Sequence, residues 1–215
     1  MIFPLRALLR RNNPATMTVM LIVINVLIFL WEFTQTPYQH MVFENHYAMV
    51  PDHLRVASLF TSMFLHAGWL HILGNMWFLW VFGSHIEDVM GAPRFLLFYV
   101  TCGLVASAVQ LVTSLGSPAH VVGASGAIAG IMGAFLVLYP RIRVRTLIFV
   151  FFIFYLEIPA AFILVYWFVL QLINGFASAH NFSDSGGVAV FAHIGGFLTG
   201  LFLIRLFPNT RRYFY

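Results

Sequence analysis

Of the 215 residues, 61% are hydrophobic and 8% are charged, against about 25% charged in a soluble domain, which excludes an ordinary soluble fold. The formal net charge of +4 comes from arginines grouped at the edges of apolar runs. Such groups are topology signals at a membrane boundary, so nucleic acid is excluded as a partner and the lipid bilayer takes its place. The single cysteine, Cys102, permits no intrachain disulfide and lies inside an apolar run, where a small hydrophobe would serve equally.

Residues 1–16 read as a short basic terminus carrying Arg6, Arg10 and Arg11. The apolar run that follows, Met17 to Trp31, has the outline of a signal peptide. No small-residue cleavage site follows it, and Glu32 to Pro37 is polar, so a retained span is expected. Runs of roughly 20 apolar residues then recur along the chain. The spacing predicts an all-α membrane protein, a six-transmembrane-helix bundle with spans at 17–34, 70–85, 93–113, 124–140, 159–176 and 190–207. The membrane domain is then 17–207, with a basic tail at 208–215. An even number of spans returns the chain to its starting side. The clusters Arg6/Arg10/Arg11, Arg141/Arg143/Arg145 and Arg205/Arg211/Arg212 all fall there, so the positive-inside rule makes both termini cytoplasmic. Glu44, Asp52 and Asp184 fall in outer loops, with Arg55 as the basic residue there. The short basic N-terminus favours a bacterial plasma membrane over an organelle.

Two segments depart from a plain bundle. In the long outer loop 35–69, Val56, Leu59, Phe60, Met63 and Phe64 recur at helical spacing, predicting a short helix lying on the membrane surface. The apolar stretch from Thr146 to Gln171 is too long for one span and contains Glu157 and Pro159. Proline is tolerated in a first helical turn, so a span is expected to start there, with 146–157 as a buried or re-entrant lead-in. No internal repeat or pair of broken helices supports a transporter.

Polar groups inside a span are costly unless paired, and therefore point to function. Here they are His71 and Asn75 in the second span, Ser125 at the start of the fourth, and His193 in the sixth. At about 1.5 Å per residue, Asn75, Ser125 and His193 lie within roughly 10 Å of the outer ends of their helices. His71 and Asn75, four apart, share one helix face. Singly, serine and histidine often do no more than hydrogen-bond between membrane helices. Jointly, at one depth, they form a nucleophile and base with an amide and second imidazole beside them. Gly126, Gly130 and Gly133 in the fourth span, and Gly196 and Gly200 in the sixth, allow the close helix contact that a serine–histidine pair needs. Asn75, His71 and the unpaired N–H groups at the helix start by Ser125 are the candidate oxyanion donors. No intramembrane aspartate is available to orient His193, which leaves a dyad.

Three motifs, FLHAGWLHILGNM at Phe64–Met76, GASGAIAG at Gly123–Gly130 and AHIGGFLTG at Ala192–Gly200, together resemble the rhomboid family of intramembrane serine proteases. Alanine at 127 excludes the G-x-S-x-G elbow of soluble hydrolases. The resemblance implies Ser125 as nucleophile, His193 as base, and oxyanion contacts from Asn75, His71 and the backbone at Gly123 and Ser125. It implies a water-filled cavity open to the outer side, substrates that are transmembrane proteins, and no cofactor or metal. Glu87 resembles a structural glutamate of the family, the alternative being a boundary carboxylate. Two departures stand out: Ala57-Ser58 where relatives often have Trp-Arg, and Ala129 where many place an aromatic against the histidine. Competing expectations are an inactive rhomboid-like binder, a channel or transporter, or a metalloprotease using His66 and His71. The last lacks an H-E-x-x-H helix.

Overall fold

The computed structural model describes residues 2–149, 153–180 and 189–207. The tail at 208–215, with Arg211 and Arg212, and Asp184 lie outside the described residues. The elements in chain order are β1 (Ile2–Ala7), α1 (Thr16–Phe33), α2 (Pro37–Tyr47), α3 (Ser58–Thr61), α4 (Trp69–Phe78), α5 (Ser84–Met90), α6 (Ala92–Thr113), α7 (Ser125–Leu138), β2 (Arg143–Phe149), β3 (Ile153–Pro159), α8 (Ala160–His180) and α9 (Val190–Leu203). Among the described residues, Thr16–Phe33, Ala92–Thr113 and Ala160–Ala177 are long and apolar enough to cross a membrane. Ser125–Leu138 and Val190–Leu206 are shorter apolar helices. A π turn at Leu79–Gly83 joins α4 to α5, so the second expected span continues as helix to Met90. Large apolar side chains such as Leu70, Phe162 and Phe176 are exposed on the outer faces of these helices, where lipid replaces water as the solvent.

The all-α expectation is corrected by a three-stranded antiparallel sheet in the order β1-β2-β3. Residues 146–157, expected as a re-entrant lead-in, lie largely on β2 and β3, and the basic N-terminus supplies β1. The physical reason is a period-two pattern within β2: Arg143 and Arg145 are exposed, and Val144 and Thr146 are buried. Arg145 lies opposite Glu157 in the register and bonds it at 2.9 Å, which accounts for an acid in an apolar stretch. Pro4 interrupts the donors of β1, and its carbonyl accepts from Trp77 Nε1 at 2.7 Å, tying the sheet to α4.

The long loop at 35–69 contains more helix than its periodicity suggests. The apolar spacing of 56–64 becomes α3 followed by a 3-10 turn at Ser62–Phe64. Before it, α2 starts at a capping box in which Thr36 and Gln39 satisfy each other's backbone groups, with Pro37 in the first turn.

At the centre, every residue of α7 from Gly126 to Phe135 is buried, and the most extensive helix contact is between α7 and α9. That contact is backbone on backbone. A Cβ at Gly196 would fall on the Gly126 carbonyl, one at Gly200 on the Gly130 carbonyl, and one at Gly133 on the Phe197 carbonyl. The glycine stripes therefore hold the two helices at a separation that no side chain could replace. Across α7, Cys102 on α6 faces Gly130 as a small packing group.

The N-terminus of α1 has no cap from its own Ala15. Glu87 of α5 caps it instead, accepting from the backbone N–H groups of Met17 at 2.8 Å and Thr18 at 2.7 Å, and from the Thr18 hydroxyl at 2.7 Å. This carboxylate satisfies donors that the helix itself leaves unpaired. Beside it, Asp88 accepts from Asn13 N–H at 2.8 Å.

Candidate active site

Ser125 is the first residue of α7, and His193 lies in the first turn of α9. The glycine contact brings the two helix starts together, and Ser125 Oγ lies 2.7 Å from His193 Nε2. A serine hydroxyl donating to an unprotonated imidazole nitrogen is the arrangement that activates it as a nucleophile. Gln110 on α6 steadies this end of α9 by accepting from the Ala192 N–H at 3.1 Å.

The second expected pair also converges. His71 Nδ1 accepts from the Ala67 N–H at 3.3 Å, so the ring carries its proton on Nε2 and offers a donor there. Asn75 Nδ2 is buried and has no hydrogen-bond partner among the described residues. Both nitrogens point toward a space over Gly123: a Cβ built there would lie 2.8 Å from His71 Nε2 and 3.6 Å from Asn75 Nδ2. Gly123 has φ +124°, a conformation that only glycine adopts without strain. Its own N–H donates to the Ser62 carbonyl at 2.8 Å. Gly123, expected to contribute a backbone donor, has that N–H committed to Ser62 and instead leaves room beside His71 and Asn75.

Two residues that sequence reasoning missed come from α8. Gln171 Oε1 lies 3.0 Å from His193 Nδ1. Trp167 lies with its ring centroid 5.6 Å from that of His193, tilted by 41°. In sequence both look like ordinary positions of an apolar span. The available hint was that a glutamine inside a membrane helix needs a partner. Beneath them, Phe168 stacks on Phe197 at 4.5 Å and docks α8 against α9.

His66, outside the helical spans, is buried with both ring nitrogens unpartnered among the described residues, its ring 5.2 Å from that of His71. Burial, with the neighbouring His71, pushes its pKa down to about 4.

The rhomboid domain model matches residues 53–209, which include α3 to α9 and all of the residues just described. The chain belongs to the rhomboid family. It is 35% identical over 144 residues to the rhomboid protease GluP of Bacillus subtilis, covering 67% of this chain and 24% of that protein. It is 34% identical over 145 residues to RHOMBOID-like protein 5 of Arabidopsis thaliana, covering 67% and 42%. To the mitochondrial Rhomboid protein 1 of Saccharomyces cerevisiae it is 29% identical over 145 residues, covering 65% and 41%. The chain thus spans less than half the length of these relatives.

Both departures noted in the sequence have a physical counterpart. Ala129 is fully buried, and the aromatic against His193 is Trp167 from α8. At Ala57-Ser58, the loop is held by the Ser58 hydroxyl on the Arg55 carbonyl at 2.6 Å, Arg55 on His46 at 2.8 Å, and the Thr61 hydroxyl on the Tyr47 carbonyl at 2.7 Å.

Proposed function

We propose that this rhomboid is an intramembrane serine endopeptidase that hydrolyses peptide bonds in or near transmembrane segments of membrane proteins. The observation that carries the reading is the 2.7 Å contact between Ser125 Oγ and His193 Nε2, with the donors of His71 and Asn75 converging beside it. In this reading six helices span a bacterial plasma membrane with both termini cytoplasmic, and the pair lies near the outer ends of its helices. Similarity to a bacterial rhomboid protease supports the assignment.

The chemistry follows from the geometry. His193 Nε2 takes the Ser125 proton as Oγ attacks the scissile carbonyl, forming the C–O bond and an oxyanion. His71 Nε2–H, Asn75 Nδ2–H and the N-terminal amides of α7 stabilise that oxyanion. Collapse breaks the C–N bond, the imidazolium returns its proton to the leaving amine, and an acyl-serine remains. Water, deprotonated by His193, then releases the acid and restores Ser125.

The test is labelling of purified protein by a fluorophosphonate, comparing wild type with Ser125→Ala and His193→Ala, together with cleavage of a single-span substrate. Label and cleavage are expected in wild type and absent from both variants. A folded wild type that takes no label overturns the reading and leaves a rhomboid that binds membrane proteins without cutting them.

A further inference from the structure

A Ser-His pair works as a base only in one tautomer. Neutral imidazole carries one proton; on Nε2 it would donate to Ser125 and could not accept the serine proton. Something must hold the proton on Nδ1. Among the described residues, no carboxylate lies at His193 Nδ1; the group there is Gln171 Oε1, at 3.0 Å. A carbonyl oxygen only accepts, so this contact is satisfied when Nδ1 is protonated and Nε2 presents its lone pair to Ser125 Oγ, 2.7 Å away.

We infer that Gln171 is a positioning residue that fixes the tautomer of His193 and completes a Ser-His-Gln triad. The inference rests on the serine-protease reading. Trp167 and Gln171, four residues apart, share one face of α8. One sets the plane of the imidazole and the other sets its proton. The setting explains the choice of an amide. Gln171 lies within an apolar helix long enough to cross a membrane, Ala160–Ala177, where a carboxylate is costlier to hold than an uncharged amide. A carboxamide offers the same oxygen without charge. During reaction its C=O dipole also stabilises the imidazolium through the same bond, as the acid of a conventional triad does with a full charge.

The experiment measures the rate of fluorophosphonate labelling against pH in the full chain, with thermal unfolding beside it, for wild type, Gln171→Met and Gln171→Glu. Methionine keeps the length and removes the acceptor; its rate is expected to fall about 10- to 100-fold at neutral pH with little change in unfolding temperature. Glutamate keeps an acceptor and adds charge. It is expected to restore labelling at alkaline pH, with the acid limb moved up by about one pH unit, because a carboxylate favours imidazolium. Among the described residues, the other titratable group facing His193 is His71 on α4, and it is unchanged in every variant. Nitrogen NMR of labelled histidine gives a second readout: a protonated Nδ1 on His193 in wild type, lost in Gln171→Met. The inference is overturned if Gln171→Met labels at the wild-type rate with the wild-type pH profile. If that variant does not fold, an unshifted acid limb in Gln171→Glu overturns it equally. A wild type without label removes the serine reading, and this inference with it.

Discussion

Gly123→Ala tests the oxyanion site without removing either donor. The added methyl meets His71 Nε2 at 2.8 Å and Cε1 at 2.9 Å, against an ordinary contact of 3.4 Å or more. It also occupies the space toward which Asn75 Nδ2 is directed, and it imposes a φ of +124° on an L residue. Strain of this kind costs about 1–3 kcal/mol. If His71 swings aside to relieve the clash, one oxyanion donor is lost, and each such donor contributes on the order of 100- to 1000-fold in rate. The expected result is a fall of about that size in fluorophosphonate labelling and in peptide cleavage, with the protein still folded. The assay is the labelling rate of wild type and variant, each normalised to folded protein from a thermal melt. A variant that labels at the wild-type rate refutes the assignment of that space to the oxyanion.

Asn75→Ala removes a donor directly and is expected to lower cleavage by about 10- to 1000-fold with little change in substrate affinity, read as a kcat effect. Gly200→Ala drives a methyl onto the Gly130 carbonyl and parts α7 from α9; an opening near 1 Å costs about 100-fold in rate, whereas Gly74→Ala, with nothing within 4 Å, leaves labelling unchanged. Glu87→Ala is expected to destabilise by about 2–4 kcal/mol through the loss of charge-assisted bonds to α1, measured by thermal or denaturant unfolding. Burial beside His71 pushes the His66 pKa down from the ordinary 6.5 to about 4. The unfolded chain therefore binds its proton first, and stability falls as pH drops from 6.5 toward 4, by up to about 3 kcal/mol. His66→Leu should flatten that part of the stability profile, followed by melting temperature against pH.

The helices were legible because membrane spans announce themselves by run length, and Ser125 and His193 because polar groups within such runs are scarce. Starting Thr16–Phe33 against an expected 17–34, and Val190–Leu206 against 190–207, shows how sharply hydrophobic length marks a boundary. The same cue misled at 146–157. Strands rich in Ile, Phe, Leu and Tyr have the composition of a span, and the Arg143-Val144-Arg145-Thr146 alternation that marks β2 covers only four positions. Its partner β1 lies at the far end of the chain, so no local pattern could announce the pairing. Gln171 and Trp167 were hidden for a different reason. Which face of α8 meets His193 is set by its rotation against α9, and the packing of Phe168 on Phe197 decides that.

The Glu87 clamp on α1 has a consequence for the order of assembly. The first turn of α1 leaves its ribosome long before its cap exists, because the carboxylate that satisfies it is 70 residues downstream of Met17. Until α5 is in place, those N–H groups require water or lipid headgroups, so α1 stays at the membrane boundary as a helix with a hydrated foot. Its docking therefore waits for α5, and it coincides with the moment when the Glu87 carboxylate finds its donors. One acid thus couples the settling of the first helix to completion of the second.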